Sequence, residues 1–327
     1  MLNVVADSNR GVLYGAGAYL MWGLFPLYWP LLAPSGAVEI LAHRMMWSLL
    51  TVLGILALRR HWRWFAAVLR SPRQLLLLTA AALVITANWG LFIYTVNSGH
   101  TLQAALGYFI NPLVSVTLGV LVFSERLRRA QWAAVALGAV AVVVLTFDYG
   151  APPWMALGMA LTFAGYGVLK KFVRLDGVES LTVETMVMFL PALGYALLLH
   201  AAGGGTFGQV SAAHTVLLVG SGLVTAVPLL CFGAAAFRIP LSVLGLLQFI
   251  APVLQFLIGW LVYGEEMPVS RWVGFGFVWV ALMVFAADLA IAARRGSRDR
   301  AERPAPAAAT GPAAEAPVPA ACTADRP

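Results

Sequence analysis

Charged residues are scarce in this chain. Only 11% of its 327 residues are charged, whereas soluble domains usually carry about 25%. So few charges cannot cover a water-exposed surface of this size, which argues against an ordinary soluble protein. The mean hydropathy of +0.84 and the 61% of hydrophobic residues indicate instead that lipid is the solvent.

Cysteine is also nearly absent. The two cysteines are Cys231, within an apolar stretch, and Cys322, near the C-terminus. This number and spacing exclude a disulfide framework and a CxxC metal or redox motif. No other set of residues indicates a metal ion or a cofactor, so we predict neither.

Several catalytic and nucleotide-binding motifs are missing. The sequence lacks GxxxxGK[ST], HExxH and DDxxD, and its five histidines form no pair four residues apart. These absences argue against an ATP-driven pump and against the common metalloenzymes, so we do not expect an enzyme. The net charge of +7 does not indicate nucleic acid as a partner, because the basic residues stand in short clusters between apolar runs.

Ten apolar stretches are long enough to cross a membrane as helices, which requires about 20 residues. We place them near residues 11–33, 38–58, 74–96, 101–123, 130–147, 152–172, 181–200, 212–235, 240–263 and 270–292. The chain is therefore predicted to be an all-α membrane protein with ten transmembrane helices.

The positions of the basic residues support this count and give an orientation. With ten crossings, all but two of the 21 Lys and Arg residues fall on one side of the membrane. The exceptions are Arg44, within a span, and Arg271, in a loop on the opposite side. Because loops rich in Lys and Arg stay in the cytoplasm, both termini are predicted to be cytoplasmic in a multi-pass protein of the cell inner membrane.

One stretch of the sequence occurs twice. Leu106–Glu125 and Leu246–Glu265 are 140 residues apart and identical at eight of 20 positions without gaps. This interval covers about five helices, and an odd number of crossings places the second copy upside down in the membrane. Inverted repeats are common in secondary transporters.

The repeat defines the predicted domain organisation. It comprises a cytoplasmic N-terminus (1–10), a first five-helix repeat (11–148), a second, inverted five-helix repeat (149–293) and a disordered cytoplasmic tail rich in Ala and Pro (294–327).

Three ionisable residues lie where lipid is expected and are candidates for a charge pair or a gate. They are His43 and Arg44 in the second span and Glu184 in the seventh. Such groups need a partner or a water-filled cavity. Arg44 either faces a cavity or lies at the headgroups, and Glu184 is a candidate partner for it. His43 is either a titrating group or a hydrogen-bonded structural histidine.

Polar residues also recur along one face of the fourth span and of its copy. Together with Asn88 of the third span, they either line a substrate cavity or let the helices pack closely. The cavity candidates are Asn88, Gln103, Tyr108, Asn111, Gln248 and Gln255. Pro112 and Pro252 occupy equivalent positions in the two copies and are predicted to kink their helices, as at transporter binding sites.

Five segments of the sequence resemble one family. They read GAYLMWGLFPLYW, EILAHRMMWSLL, NWGLFIYTVNSGHTLQAALGYFINPL, ETMVMFLPAL and TAVPLLCFGAAAFRIPLSVLGLLQFIAPVLQFL. These segments resemble the RarD branch of the EamA family, in the drug/metabolite transporter superfamily, from Gly11 to about Ala292. The resemblance implies a ten-helix inner-membrane permease with two inverted EamA repeats. Gln103 departs from the pattern, because that position is often acidic in the branch, so no proton-coupling carboxylate is inferred there.

These observations predict a secondary transporter, an inner-membrane permease that exports small metabolites or drugs by alternating access between the repeats. Export, rather than uptake, is implied by the resemblance. The alternative is an intramembrane enzyme or a membrane scaffold without transport activity. The expected partners are a small-molecule substrate and the lipid bilayer, with a homodimer as a further option.

Overall fold

The computed structural model is helical along nearly all of its described length. The described residues are 2–59, 62–124, 126–173, 175, 177–236, 238–239, 243–244 and 247–302. Within these ranges there is no β-strand, so the predicted all-α class is confirmed. Glu125 and Leu246 of the repeated stretch, and tail residues 303–327, lie outside the described residues.

Twelve α-helices follow one another in the described residues. They are α1 (Leu2–Gly23), α2 (Phe25–Tyr28), α3 (Ala37–Arg59), α4 (Arg63–Leu69), α5 (Pro72–Asn97), α6 (Thr101–Phe123), α7 (Arg129–Tyr149), α8 (Trp154–Phe172), α9 (Gly177–Ala201), α10 (Ala212–Ala236), α11 (Ile250–Leu257) and α12 (Val269–Glu302). A 3-10 turn, Trp29–Leu32, follows α2, and a π-helical segment, Ile258–Val262, continues α11. Helix ends follow local chemistry: the Ser71 hydroxyl accepts a hydrogen bond from the Gln74 N–H at the start of α5, as an N-cap should.

Seven of these helices are long and apolar enough to cross a membrane. They are α3, α5, α6, α7, α9, α10 and α12. The three other predicted windows overlap α1, α8 and α11. The last turn of α8 contains Lys170 and Lys171, and these two charges lower the mean hydropathy of the helix. Helix α11 has only eight residues. The chain is thus a multi-pass membrane protein, while the count of ten spans stays a prediction.

Two ion pairs show how α7 and α12 run relative to each other. Asp148, at the end of α7, pairs with Arg271 near the start of α12 at 2.7 Å. At the opposite end, Arg128, just before α7, pairs with Asp288 of α12 at 2.6 Å. Helices α7 and α12 therefore run antiparallel.

Small residues allow the closest helix contacts. A Cβ on Gly107 of α6 would lie 2.9 Å from Met159 Cε and 3.0 Å from the Ala156 oxygen of α8. A Cβ on Gly222 of α10 would lie 2.4 Å from the carbonyl carbon of Trp47 in α3. Glycine at these positions lets two backbones approach without a side chain between them.

Two boundaries differ from the sequence prediction. The ninth window, 240–263, is not one continuous helix, because a turn at Gln248 and Phe249 precedes α11. Pro252 therefore lies in the first turn of α11, where a missing N–H costs little, rather than mid-helix. At the C-terminus, α12 continues to Glu302 instead of ending at 293, because its last residues are rich in the helix formers Ala, Arg and Glu.

Candidate functional site

Arg44 of α3 is buried against α10. Only 2% of its surface is exposed, so its side chain does not reach the surface of the bundle. Its Nε donates a hydrogen bond to Thr225 Oγ1 of α10 at 2.8 Å, and Thr225 in turn donates to the Ser221 carbonyl at 2.9 Å. This contact ties α3 to α10.

Aromatic rings surround the Arg44 guanidinium. Its central carbon lies 4.0 Å from the ring centre of Trp89, 5.0 Å from that of Trp29 and 5.5 Å from that of Phe25. Cation–π contacts at these distances are attractive and become stronger away from water. Arg44, Trp29, Trp89, Phe25 and Thr225 are hereafter the Arg44 site.

Glu184, the predicted partner of Arg44, has other partners. Its Oε1 lies 3.1 Å from Lys170 Nζ and accepts a hydrogen bond from Ser180 Oγ at 2.7 Å. Tyr166 donates to its Oε2 at 3.1 Å. Glu184 thus belongs to a cluster between α8 and α9, and the Arg44–Glu184 ion pair is absent from this conformation.

His43 packs into an aromatic stack. Its ring lies 4.7 Å from that of Phe207 at an interplanar angle of 17°. Trp47 Nε1 donates to His43 Nδ1 at 3.3 Å. Because the indole N–H can only donate, His43 Nδ1 is the acceptor in this contact.

A polar cluster lies one turn from His43, at the end of the bundle that carries the connections 24–36, 97–101, 201–211 and 263–268. We refer to this end as the outer end, since the charge distribution predicts that it faces away from the cytoplasm. Glu39 Oε1 accepts from the Thr206 N–H at 2.7 Å and from Thr206 Oγ1 at 3.0 Å. Ser35 Oγ contacts Thr206 Oγ1 at 2.6 Å and His214 Nε2 at 3.0 Å. These bonds connect α3 and the connection before it to the connection between α9 and α10 and to the first turn of α10.

The predicted cavity residues with amide side chains lie on different helices and do not form one cluster. Asn88 Nδ2 donates to the Met159 carbonyl at 2.8 Å and to Thr162 Oγ1 at 2.9 Å, and so joins α5 to α8. Gln255 Nε2 donates to the Trp22 carbonyl at 3.3 Å and joins α11 to α1. Gln103 lies in the first turn of α6, near the outer end. The side-chain oxygens of Asn88, Gln103 and Gln255 are buried and, in the described residues, without a hydrogen-bond donor.

The remaining candidates follow α6 and the turn before α11. Asn111 is 9% exposed, and its Oδ1 is 3.4 Å from Ser115 Oγ. Tyr108 packs edge-on against Phe92 with ring centres 5.6 Å apart. Helix α6 continues through Pro112, which cannot donate to the Tyr108 carbonyl. Gln248 is half-buried in the turn before α11.

A cavity of about 440 Å³ opens at the outer end. Its walls come from the connection after α2, the end of α5 and the connection before α12, and they include Ser35, Asn97, Tyr263 and Glu265. Glu265 also accepts hydrogen bonds from the Leu102 N–H at 3.0 and 3.2 Å, which caps the start of α6. Within the described residues, no group of three or more His, Cys, Asp or Glu side chains forms a metal site.

Three residues of the site were not predicted from the sequence: Thr206, Thr225 and His214. Glu265 was noted there only as a repeated residue. The hydroxyls of Thr206 and Thr225 bond to residues 167 and 181 positions away in the chain. Because Thr often bonds its own helix backbone, its type and local position give no sign of such a contact. Both copies of the repeated stretch end in a glutamate, and this repetition could have indicated a role for Glu265.

Comparison with known proteins places the chain in a family. The model of the EamA-like transporter family matches residues 9–147. The chain is 57% identical over 310 residues to Protein RarD of Streptomyces exfoliatus, covering 94% of this chain and 98% of that protein. It is 39% identical to Protein RarD of Escherichia coli strain K12, covering 89% of this chain and 99% of the relative.

A more distant relative agrees with this family, and a solved structure has a similar fold. The chain is 28% identical to the chloramphenicol-sensitive protein RarD of Pseudomonas aeruginosa, covering 89% of this chain and 98% of that protein. One crystal structure shares the fold with a TM-score of 0.56 at 18% identity, covering 85% of this chain and 98% of that one. The fold and these relatives define a multi-pass membrane transporter. The chain belongs to the EamA family and is a RarD-like permease.

Proposed function

We propose that the chain is a secondary transporter of small metabolites or drugs in the cell inner membrane. Alternating access between two inverted five-helix halves, 11–148 and 149–293, moves the substrate outward. The matched family segment, 9–147, has nearly the bounds of the first half. The export direction rests on the family alone.

The helix contacts carry this proposal. Exchanging the halves maps α1, α3, α5, α6 and α7 onto α8, α9, α10, α11 and α12. Under this exchange the contact α6–α8 becomes α1–α11, α5–α8 becomes α1–α10, and α5–α9 becomes α3–α10. Each of these pairs is in contact, and so are three of the five pairs that map onto themselves, namely α3–α9, α6–α11 and α7–α12.

Inversion further requires that equivalent helices run antiparallel. The ion pairs between α7 and α12 meet this requirement. Glu39, near the start of α3, bonds to Thr206, just after α9, and Leu102, at the start of α6, bonds to Glu265, just after the π-helical segment. Three equivalent pairs thus support an axis in the membrane plane, on which two similar halves can exchange inward and outward roles.

The substrate path is proposed to lie between the halves, near the Arg44 site. Arg44 contacts Thr225 of the second half and the rings of the first. Asn111, Tyr108 and Gln248 are the proposed polar contacts for the substrate along this path. Asn88 and Gln255, which bond to neighbouring helices, are proposed to hold those helices in place at its sides.

Flux into proteoliposomes tests transport. Purified protein is screened with a panel of metabolites and drugs, with and without a pH gradient, and saturable flux is expected for some of them. The double variant Asn111→Leu with Gln248→Leu should lower that flux at least tenfold, whereas Gln209→Leu, in an exposed connection, should leave it unchanged.

Two negative results have different meanings. If no compound shows saturable flux above protein-free vesicles, the transport proposal is wrong. If the double variant transports as well as the wild type, transport stands and the assignment of the path to these side chains is wrong.

A further inference from the structure

Arg44 is a buried cation with an unsatisfied donor. Its Nε is bonded to Thr225, but its Nη1 is buried and has no hydrogen-bond partner among the described residues. A buried N–H group normally has a partner, and one that lacks it is energetically costly. The side chain therefore has binding capacity that the protein itself does not use in this conformation.

Carboxylates do not balance this charge in the described part of the chain. The ion pairs there join Arg128 to Asp288, Lys170 to Glu184 and Arg271 to Asp148. Glu39, on the same helix as Arg44, is bonded to the Thr206 backbone and hydroxyl instead. An unbalanced buried cation is costly, and the faces of Trp89, Trp29 and Phe25 offset only part of that cost.

We propose that Arg44 binds the anionic group of the transported substrate, and that the permease selects small organic monoanions, carboxylates first among them. This inference rests on the proposed transport function and names the substrate class for it. A carboxylate can accept from Nη1 in a charge-assisted hydrogen bond, the strong kind. It also neutralises the charge, so that the substrate, not a protein side chain, completes the Arg44 site.

The surroundings of Arg44 favour an apolar body on the substrate. Trp29 is fully buried and Phe25 is 6% exposed, and Tyr108, Phe92 and Trp22 lie in or against the same apolar cluster. A dianion would leave one charge uncompensated, since Arg44 supplies a single positive charge. One carboxylate on an apolar skeleton therefore fits best.

Matched acids and amides test the inference. Binding of benzoate and benzamide, phenylacetate and phenylacetamide, and hexanoate and hexanamide to the purified wild-type protein is measured at neutral pH, where the acids are ionised. Within at least one pair the acid should bind at least tenfold more tightly than its amide. Arg44→Gln should abolish this preference, and Arg44→Lys should keep a reduced part of it, because a charge remains.

Arg271→Gln is the matched control, because Arg271 is paired with Asp148 far from the Arg44 site. The acid preference of this variant should equal that of the wild type.

Thermal unfolding without ligand separates a binding role of Arg44 from a structural one. Because Arg44→Gln removes an unbalanced buried charge, its midpoint should not fall below that of the wild type. A structural arginine would lower the midpoint, and Arg44→Lys then still reports whether acids are preferred.

The outcomes are decisive. Equal binding of acids and amides, no binding of any acid, or an acid preference that survives Arg44→Gln would each overturn the inference. Flux of neutral compounds without any acid preference would leave transport standing. Arg44-dependent binding of acids without flux of any compound would instead count against the transport function.

Discussion

At the residue scale, Glu39 illustrates how this chain satisfies a buried carboxylate. The side chain is 3% exposed and depends on Thr206, whose backbone N–H and hydroxyl both donate to Oε1. The same hydroxyl is hydrogen-bonded to Ser35. One threonine therefore supports two polar groups of the first half.

Replacing this threonine should weaken the protein. Thr206→Val keeps the volume but removes the hydroxyl, so Glu39 and Ser35 each lose one hydrogen bond and keep another, at a cost of about 0.5–1.5 kcal/mol per lost bond. A lower unfolding temperature in detergent is the expected result. Thr117→Val is the control, because Thr117 bonds only to its own helix at the Leu113 carbonyl, and a similar loss in both variants would contradict the assigned role of Thr206.

Single residues differed in how well the sequence predicted them. Arg44, His43 and Glu184 stood out because a charge within an apolar run is costly and rare, and all three are buried. Their partners did not stand out. The bond of Glu184 to Lys170, for example, depends on how α8 and α9 pack, which the local sequence does not encode.

At the element scale, the close approach of α3 and α10 depends on Gly222. Gly222→Ala would place a Cβ 2.4 Å from Trp47 backbone, so the helices must separate and thermal stability should fall clearly. Gly233 of the same helix has open space around its Cβ position. Gly233→Ala should therefore be neutral or stabilise by up to about 1 kcal/mol, since Ala is the better helix former. Equal effects of the two variants would show that the α3–α10 contact does not limit stability.

The start of α6 depends on a glutamate from the other half. Burial raises the pKa of Glu265 above its ordinary value of 4.5, although the bond from the Leu102 N–H and the nearby His100 work against this shift. A raised pKa means that the folded protein holds the proton more tightly than the unfolded chain. Glu265 therefore contributes stability that is present below pH 4.5 and is lost as the pH rises through the raised pKa.

Unfolding midpoints between pH 4 and pH 8 test this dependence. The midpoint of the wild type relative to that of Glu265→Gln should fall as the pH rises across this range. The neighbouring exposed Glu266 provides the control, Glu266→Gln, which should follow the wild type. Parallel curves for the wild type and Glu265→Gln would show that Glu265 titrates normally.

The helices themselves were largely readable from the sequence, and the exceptions have physical causes. Each predicted window contains a helix, because long apolar runs in lipid satisfy their backbone bonds that way. The break before α11 was not predicted, since Gln248 and Phe249 carry no strong turn signal and only Pro252 follows. The extension of α12 was missed because its composition suggested a tail, whereas Ala, Arg and Glu also favour a helix.

At the scale of the whole molecule, the charge distribution predicts which ends face the cytoplasm. Ser98 and Ser124 are exposed residues at opposite ends of α6. In a background without Cys231 and Cys322, a membrane-impermeant maleimide should label Ser98→Cys in intact cells and Ser124→Cys only after permeabilisation. The reverse pattern would invert the orientation, and labelling of both from outside would contradict a spanning α6.

The stretch that occurs twice was the most informative sequence feature. Eight identities in 20 positions suggested an antiparallel partner for α6, and Leu102 of α6 does meet Glu265 at the end of the second copy. The residues that line the proposed substrate path could not be predicted in the same way. Asn88 and Gln255 were assigned to it by residue type, but their amide groups bond to neighbouring helices.

Alternating access requires that the outer end opens during transport. Ser35 and Thr206 belong to different halves, and their hydroxyl oxygens are 2.6 Å apart. In the cysteine-free background, Ser35→Cys with Thr206→Cys should form a disulfide on oxidation, which holds the outer end closed and stops flux in proteoliposomes. Reduction should restore flux, and each single variant should transport equally under oxidising and reducing conditions. Undiminished flux with the cross-link complete would rule out opening of the outer end as a step in transport, because a path that never opens there cannot release its substrate on that side.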